Sequence, residues 1–201
     1  MNFTIKKGIQ GGIGATNNNY FVIWANAIIA ILATLLFGIT IIGVLAIPAI
    51  WAGYMESLLR IRRGDEVTIG AFFKAGFSQW WPLFLLVLLM FLGVLAGFML
   101  LIIPGIYLSV AWMFVLYLKV DRDISISDAF RESRRLVTDT GWWLLFLYVL
   151  LIAVTQQILT LHPILSLVYV FVFPYLLMIQ LEAYILVTDT KNNEEDKVSQ
   201  S

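Results

Sequence analysis

Apolar residues run along this chain in three long blocks, about Tyr20–Leu59, Trp80–Leu118 and Gly141–Thr188. Nearly all the charge lies in the segments between them; Glu56 and Glu182 are the only charged residues inside the blocks. Each block is roughly 40 to 48 residues long. As a single helix it would extend about 60–70 Å at about 1.5 Å per residue, twice a hydrocarbon core of about 30 Å. Two passes per block fit that thickness, so each block is predicted to be a helical hairpin. Turns are expected at Gly38, near Gly97 and at His162-Pro163, which gives spans of about 20–37, 40–61, 81–97, 100–119, 142–160 and 164–188.

The connectors follow a different period. Ile126, Ala129, Phe130, Ser133, Leu136 and Val137 recur at three- and four-residue steps, with Arg131, Glu132, Arg134 and Arg135 largely opposite. That is an amphipathic helix, opened by Ser125 and Asp128 in a capping-box-like pair. Thr68 opens a second such helix, with Ile69, Phe72, Phe73, Phe77 and Trp80 as its apolar stripe. Short helices of this kind between spans suit the inner membrane surface.

Self-comparison reveals a repeat. Ile47-Pro48-Ala49-Ile50-Trp51 matches Ile103-Pro104-Gly105-Ile106-Tyr107, and Phe173-Pro174-Tyr175 echoes both. The connectors resemble each other, and each leads to a tandem tryptophan, Trp80-Trp81 or Trp142-Trp143. The predicted fold is therefore all-α: a polytopic membrane protein with six transmembrane helices. They form three hairpins joined by cytoplasmic amphipathic helices, a threefold internal repeat. Residues 1–190 form a single transmembrane domain, with repeat units of about 1–64, 65–123 and 124–190. Residues 191–201 are expected to be a disordered cytoplasmic tail, because Glu194, Glu195 and Asp196 read as solvated.

Composition agrees. Apolar residues make up 61% and charged residues 13% of the 201, against about 45–50% and about 25% in soluble domains. Lysines and arginines cluster at Lys6-Lys7, in both connectors and after Thr188, all on one side of a six-span arrangement. Basic residues in short loops mark the cytoplasmic face, so both termini are expected in the cytoplasm. The N-terminal segment lacks the apolar stretch and small-residue cleavage site of a signal peptide. There is no cysteine and one histidine, His162, so no metal site or other cofactor is expected. Net charge is zero, which provides no basis for binding nucleic acid.

The stretch from Ile103 to Phe146 resembles a known pattern in Pro104, Gly105, Ile106, Tyr107, Asp121, Asp128, Ala129, Ser133, Leu136 and Trp142. It is similar to the membrane domain of bacterial glycerophosphodiester phosphodiesterases and to related uncharacterised bacterial inner-membrane proteins. The soluble catalytic domain those enzymes append has no counterpart in this sequence. The resemblance thus implies a standalone module in the bacterial cytoplasmic (inner) membrane and carries over no catalytic residue.

Glu56 and Glu182 each lie eight residues after a repeat proline, Pro48 or Pro174, and Trp112 takes the matching place after Pro104. Intramembrane carboxylates are costly and point to function. Arg60, one turn after Glu56, can pair with it. Gln180 is a further polar group within a span, suited to helix-to-helix hydrogen bonding. Pro48, Pro104 and Pro174 read as kinks or first-turn residues. Arg62, Arg63, Arg134 and Arg135 are candidates for contact with lipid head groups. No cluster of nucleophile, base or metal ligands stands out, so an enzyme is not expected. The expected function is a non-enzymatic membrane module that binds lipid, a membrane-protein partner or a second copy of itself. The alternative is a small transporter or channel that uses the intramembrane glutamates.

Overall fold

Long runs of Leu, Ile, Val, Phe and Ala without period-2 alternation favour the α-helix, which satisfies the polar groups of each segment's backbone within the segment itself. The computed structural model describes residues 3–38, 45–65, 69–161 and 163–199, and all regular structure there is helical. The helices are α1 (Ile5–Gly38), α2 (Ile47–Arg63), α3 (Ile69–Ser78), α4 (Trp80–Leu100), α5 (Ile102–Ala111), α6 (Val115–Arg122), α7 (Ile126–Thr140), α8 (Trp142–Thr160) and α9 (Pro163–Ser199). Among the described residues, five stretches are long and apolar enough to cross a membrane: Ile5–Gly38, Trp80–Leu100, Ile102–Arg122, Trp142–Thr160 and Val168–Asn192. Helices of this length and composition are compatible with a multi-pass membrane protein. The junction of α4 and α5 agrees with this: Met99, Leu100, Leu101, Ile102 and Ile103 are all exposed, a contiguous apolar surface that lipid tolerates and water does not.

The structure departs from the sequence expectations in several places. The span expected at 40–61 is represented by α2, whose 17 residues rise about 25 Å. That falls short of a core of about 30 Å; α1 ends at Gly38, where the first turn is expected, and residues 39–44 lie outside the described residues. His162 lies outside them too. The second turn is not at Gly97 but at Leu101, the one extended residue between α4 and α5 (φ −164°, ψ 152°). Gly97 is helical and serves packing instead: a Cβ there would sit 3.0 Å from the Cα and N of Gly105. The span expected at 100–119 is broken at residues 112–114, between α5 and α6. At the N-terminus, helix extends back from the expected start at residue 20 to Ile5, with non-helical angles at Asn19 (φ −129°, ψ 20°), the last of three asparagines whose side chains compete with backbone bonds. At the other end, helical backbone continues from 191 to Ser199, where the sequence suggests a disordered tail; no glycine or proline after Pro174 interrupts it.

The repeat prolines differ in setting. Pro48 lies in the first turn of α2 and Pro104 in that of α5, where no intrahelical donor is needed. Pro174 is inside α9 and buried. Pro163 already opens that helix, so Pro174 falls mid-helix and deprives the Val170 carbonyl of its donor.

The chain divides into two compact units, Phe21–Ser133 and a second formed by Met1–Tyr20 with Arg134–Ser201. In the first, α3 lies against α2 so closely that a Cβ on Gly76 would fall 1.9 Å from the Ala49 carbonyl oxygen. The break after α5 is covered by Ser133 of α7. Its hydroxyl donates to the Ala111 carbonyl (2.9 Å) and accepts from the Phe114 N–H (3.2 Å). Beside it the Trp112 and Phe130 rings meet edge to face at 4.8 Å. The start of α7 bears out the capping reading: Ser125 Oγ accepts the Asp128 N–H (3.1 Å) and donates to Asp128 Oδ2 (2.6 Å). Bonds from Ser125, and then from Arg131, hold the Asp128 carboxyl below the usual carboxylate range.

In the second unit Gly8, Gly11 and Gly12 of α1 face α8 and α9. Gly12 packs on the backbone of Ile179, Gly11 on the Glu182 side chain and Gly8 on Tyr148, each too closely for a Cβ without displacement. The buried Tyr148 hydroxyl donates to the Ile179 carbonyl (2.5 Å).

Candidate functional site

Charged side chains of α2, α3 and α6 converge within the first unit on an open cavity of about 420 Å³. Its polar wall is Glu56 and Arg60 from α2, Lys74 and Ser78 from α3, Gln79, and Lys119 from α6. Ala52, Leu83 and Val120 supply the apolar wall. Each helix contributes for a local reason. The αL residue Gly64 ends α2 by donating to the Arg60 and Ile61 carbonyls, so Arg60 sits in the last turn, where a cation suits the helix dipole. Asp123, also in the left-handed region (φ 47°), caps α6 through its N–H to the Lys119 carbonyl.

Glu56 and Arg60 pair as expected: Arg60 Nε and Nη2 donate to Glu56 Oε1 at 2.9 and 2.6 Å. Lys119 is buried to 8% exposure, and its Nζ lies 2.7 Å from Asp123 Oδ1. A buried ammonium requires such a partner. Lys119, and after it Gln79, hold the Asp123 carboxyl below its ordinary value. Arg63 pairs with Asp121 and so ties α2 to α6. Lys74 is exposed, and no ion pair holds it among the described residues.

The other candidates lie elsewhere. Glu182 is in the second unit, 3% exposed, with its carboxyl over Gly11: a Cβ on that glycine would meet Oε1 at 2.6 Å. Gln180 is half-buried on the same helix. Neither lines the cavity. Of the proposed head-group arginines, Arg62 and Arg134 are exposed, Arg135 lies 3.7 Å from Asp139, and none lines the cavity. Sequence reading missed Lys74 and Lys119 as site residues and counted them only as topology markers. Their meeting with Arg60 around one cavity emerges only from the packing. No group of side chains able to hold a metal ion occurs among the described residues.

Comparison with known proteins adds no relative: no family model, curated protein or solved structure matches the chain.

The Glu56–Arg60 pair is partly open to solvent, with side chains 26% and 43% exposed. Ion pairs in such settings contribute about 0–1 kcal/mol. Glu56→Gln is therefore expected to fold and to shift the thermal midpoint in detergent by about 4 °C or less. A drop several times larger would show that Glu56 has a structural role beyond this pair.

Proposed function

We propose that this chain is a non-enzymatic membrane module that binds anionic lipid at its cytoplasmic face, and that it can also meet a membrane-protein partner or a second copy there. The basic cavity carries this reading. Arg60, Lys74 and Lys119 come from three helices that pack together at one end of α2, and an excess of positive charge gathered in that way calls for an anion. In this reading the chain makes six passes as three hairpins, a threefold repeat with amphipathic helices on the inner leaflet. α2 belongs to the sixth pass. The resemblance to the membrane domain of bacterial glycerophosphodiester phosphodiesterases favours the bacterial inner membrane as its location.

Reporter fusions test the topology. Fusions after Gly64, Asp123 and Lys191 are expected to report the cytoplasm, and one at Gly97 the outside, because basic residues retain their loops inside. An external signal at Asp123 would sink the hairpin arrangement. Mass spectrometry of the purified protein tests the function: anionic phospholipid is expected to co-purify in excess over its share of the membrane.

A second reading, a small transporter, is favoured by the burial of Glu182. A carboxylate this deep in an apolar helix is costly to keep unless it is used. Proton-coupled uptake in proteoliposomes that is lost in Glu182→Gln would favour this reading over the first.

A further inference from the structure

The cavity's chemistry narrows its ligand beyond the proposed function, on which this inference rests. We infer that the Arg60–Lys74–Lys119 cavity binds the phosphodiester of a membrane phospholipid. Three cations line it against one carboxylate, Glu56. Asp123, bonded to Lys119 from outside the lining, offsets one more charge. The net excess of one positive charge matches a singly charged phosphodiester better than a doubly charged phosphomonoester.

Geometry points the same way. The cations approach from α2, α3 and α6, and Ser78 and Gln79 add neutral polar groups. Donors spread over several directions suit a tetrahedral anion with several acceptor oxygens; a planar carboxylate is served by a single two-pronged donor. Glu56 engages Nε and Nη2 of Arg60 and leaves Nη1. Lys74 is the cation without an ion-pair partner among the described residues and is the natural first contact. About 420 Å³ falls within the range of small-molecule sites, about 300–1,000 Å³.

Depth indicates a lipid as the source of the phosphate. Gln79 directly precedes Trp80 and Trp81, both exposed, at 43% and 54%. Tandem exposed tryptophans at the start of a span sit at head-group level. Ala52, Leu83 and Val120 then give the cavity an apolar side on which a glycerol backbone can rest.

The test is native mass spectrometry of the full chain, titrated with phosphatidylglycerol or phosphatidylcholine. Lys74 is exposed, so its variants leave packing intact. Lys74→Gln is expected to weaken phosphatidylglycerol binding about fivefold, the effect of one basic residue near an anionic surface, and Lys74→Arg to retain it. Arg131→Gln removes the same charge outside the cavity and is expected to change binding less than twofold. Equal losses in Lys74→Gln and Arg131→Gln would reduce the effect to diffuse attraction and overturn the site. Displacement of the lipid by millimolar inorganic phosphate would overturn the lipid source. Lipid that co-purifies but ignores Lys74→Gln would refute the cavity alone, whereas absence of any bound phospholipid would refute the module reading itself.

Discussion

Gly76→Ala is expected to destabilise the protein by about 3 kcal/mol, the upper end of what overpacking usually costs. The added methyl would lie 1.9 Å from the Ala49 carbonyl oxygen and 2.8 Å from its carbon. Both are backbone atoms of α2, so no side-chain rotation relieves the clash, and α3 must move away. In the native packing a Cα hydrogen of Gly76 points at that carbonyl, a weak bond that recurs where helices approach closely. Gly14 provides the control. It is exposed on α1, with nothing within 4 Å of the place a methyl would occupy, so Gly14→Ala removes only the flexibility of glycine and should stabilise by about 0.5–1 kcal/mol. Thermal unfolding in detergent, followed by tryptophan fluorescence, separates them. At about 2–4 °C per kcal/mol for a chain of this size, Gly76→Ala falls by about 6–12 °C while Gly14→Ala holds or rises. Similar midpoints for the two variants would mean that α3 does not rest on α2 as described.

How much of this was legible in the sequence follows from what each feature depends on. Hydrophobic block length set the all-α class and multiple passes, because bilayer thickness is an external ruler. The capping pair Ser125 and Asp128 and the buried stripe Ala129, Ser133, Leu136 and Val137 of α7 were legible, because helical periodicity is local. Glu56 and Arg60 were legible for the same reason, being one turn apart. The breaks were less so. Gly97 suggested a turn, yet its lack of a side chain serves contact with Gly105, and sequence alone does not tell a packing glycine from a turning one. The interruption at 112–114 lies in a Trp-Met-Phe run with no glycine or proline to announce it. The side chain that bonds to both sides of it, Ser133, lies 19 residues beyond Phe114. The cavity was illegible for a related reason. Arg60, Lys74 and Lys119 are far apart along the chain, and only the docking of α3 and α6 against α2 brings them together.

Ser133→Ala links that interruption to the cavity. The hydroxyl is fully buried and serves two backbone groups, accepting from Phe114 N–H and donating to the Ala111 carbonyl. Neighbouring groups are already committed: Met113 N–H donates to the Val110 carbonyl and Val115 N–H to that of Trp112. Removing the hydroxyl therefore strips both groups of their partner in a place water does not reach. Each such loss costs about 1–3 kcal/mol, so a total of about 3 kcal/mol is expected. Thr138 on the same helix is exposed and bonds only to its own helix, at the Arg134 carbonyl; Thr138→Ala should stay within about 0.5 kcal/mol. Amide hydrogen exchange provides a local readout, with Phe114 losing protection in Ser133→Ala and Leu118, bonded to the Phe114 carbonyl, losing less. The consequence reaches the ligand. The break separates α5 from α6, and Lys119 lies one turn into α6, close enough that loosening the break is expected to disturb its bond to Asp123 and its place in the cavity. Ser133→Ala should then weaken phosphatidylglycerol binding although Ser133 does not line the cavity, with the loss growing as temperature approaches the lowered midpoint. Unchanged exchange at Phe114 would show that the break holds without the hydroxyl, and would disconnect α7 from the site.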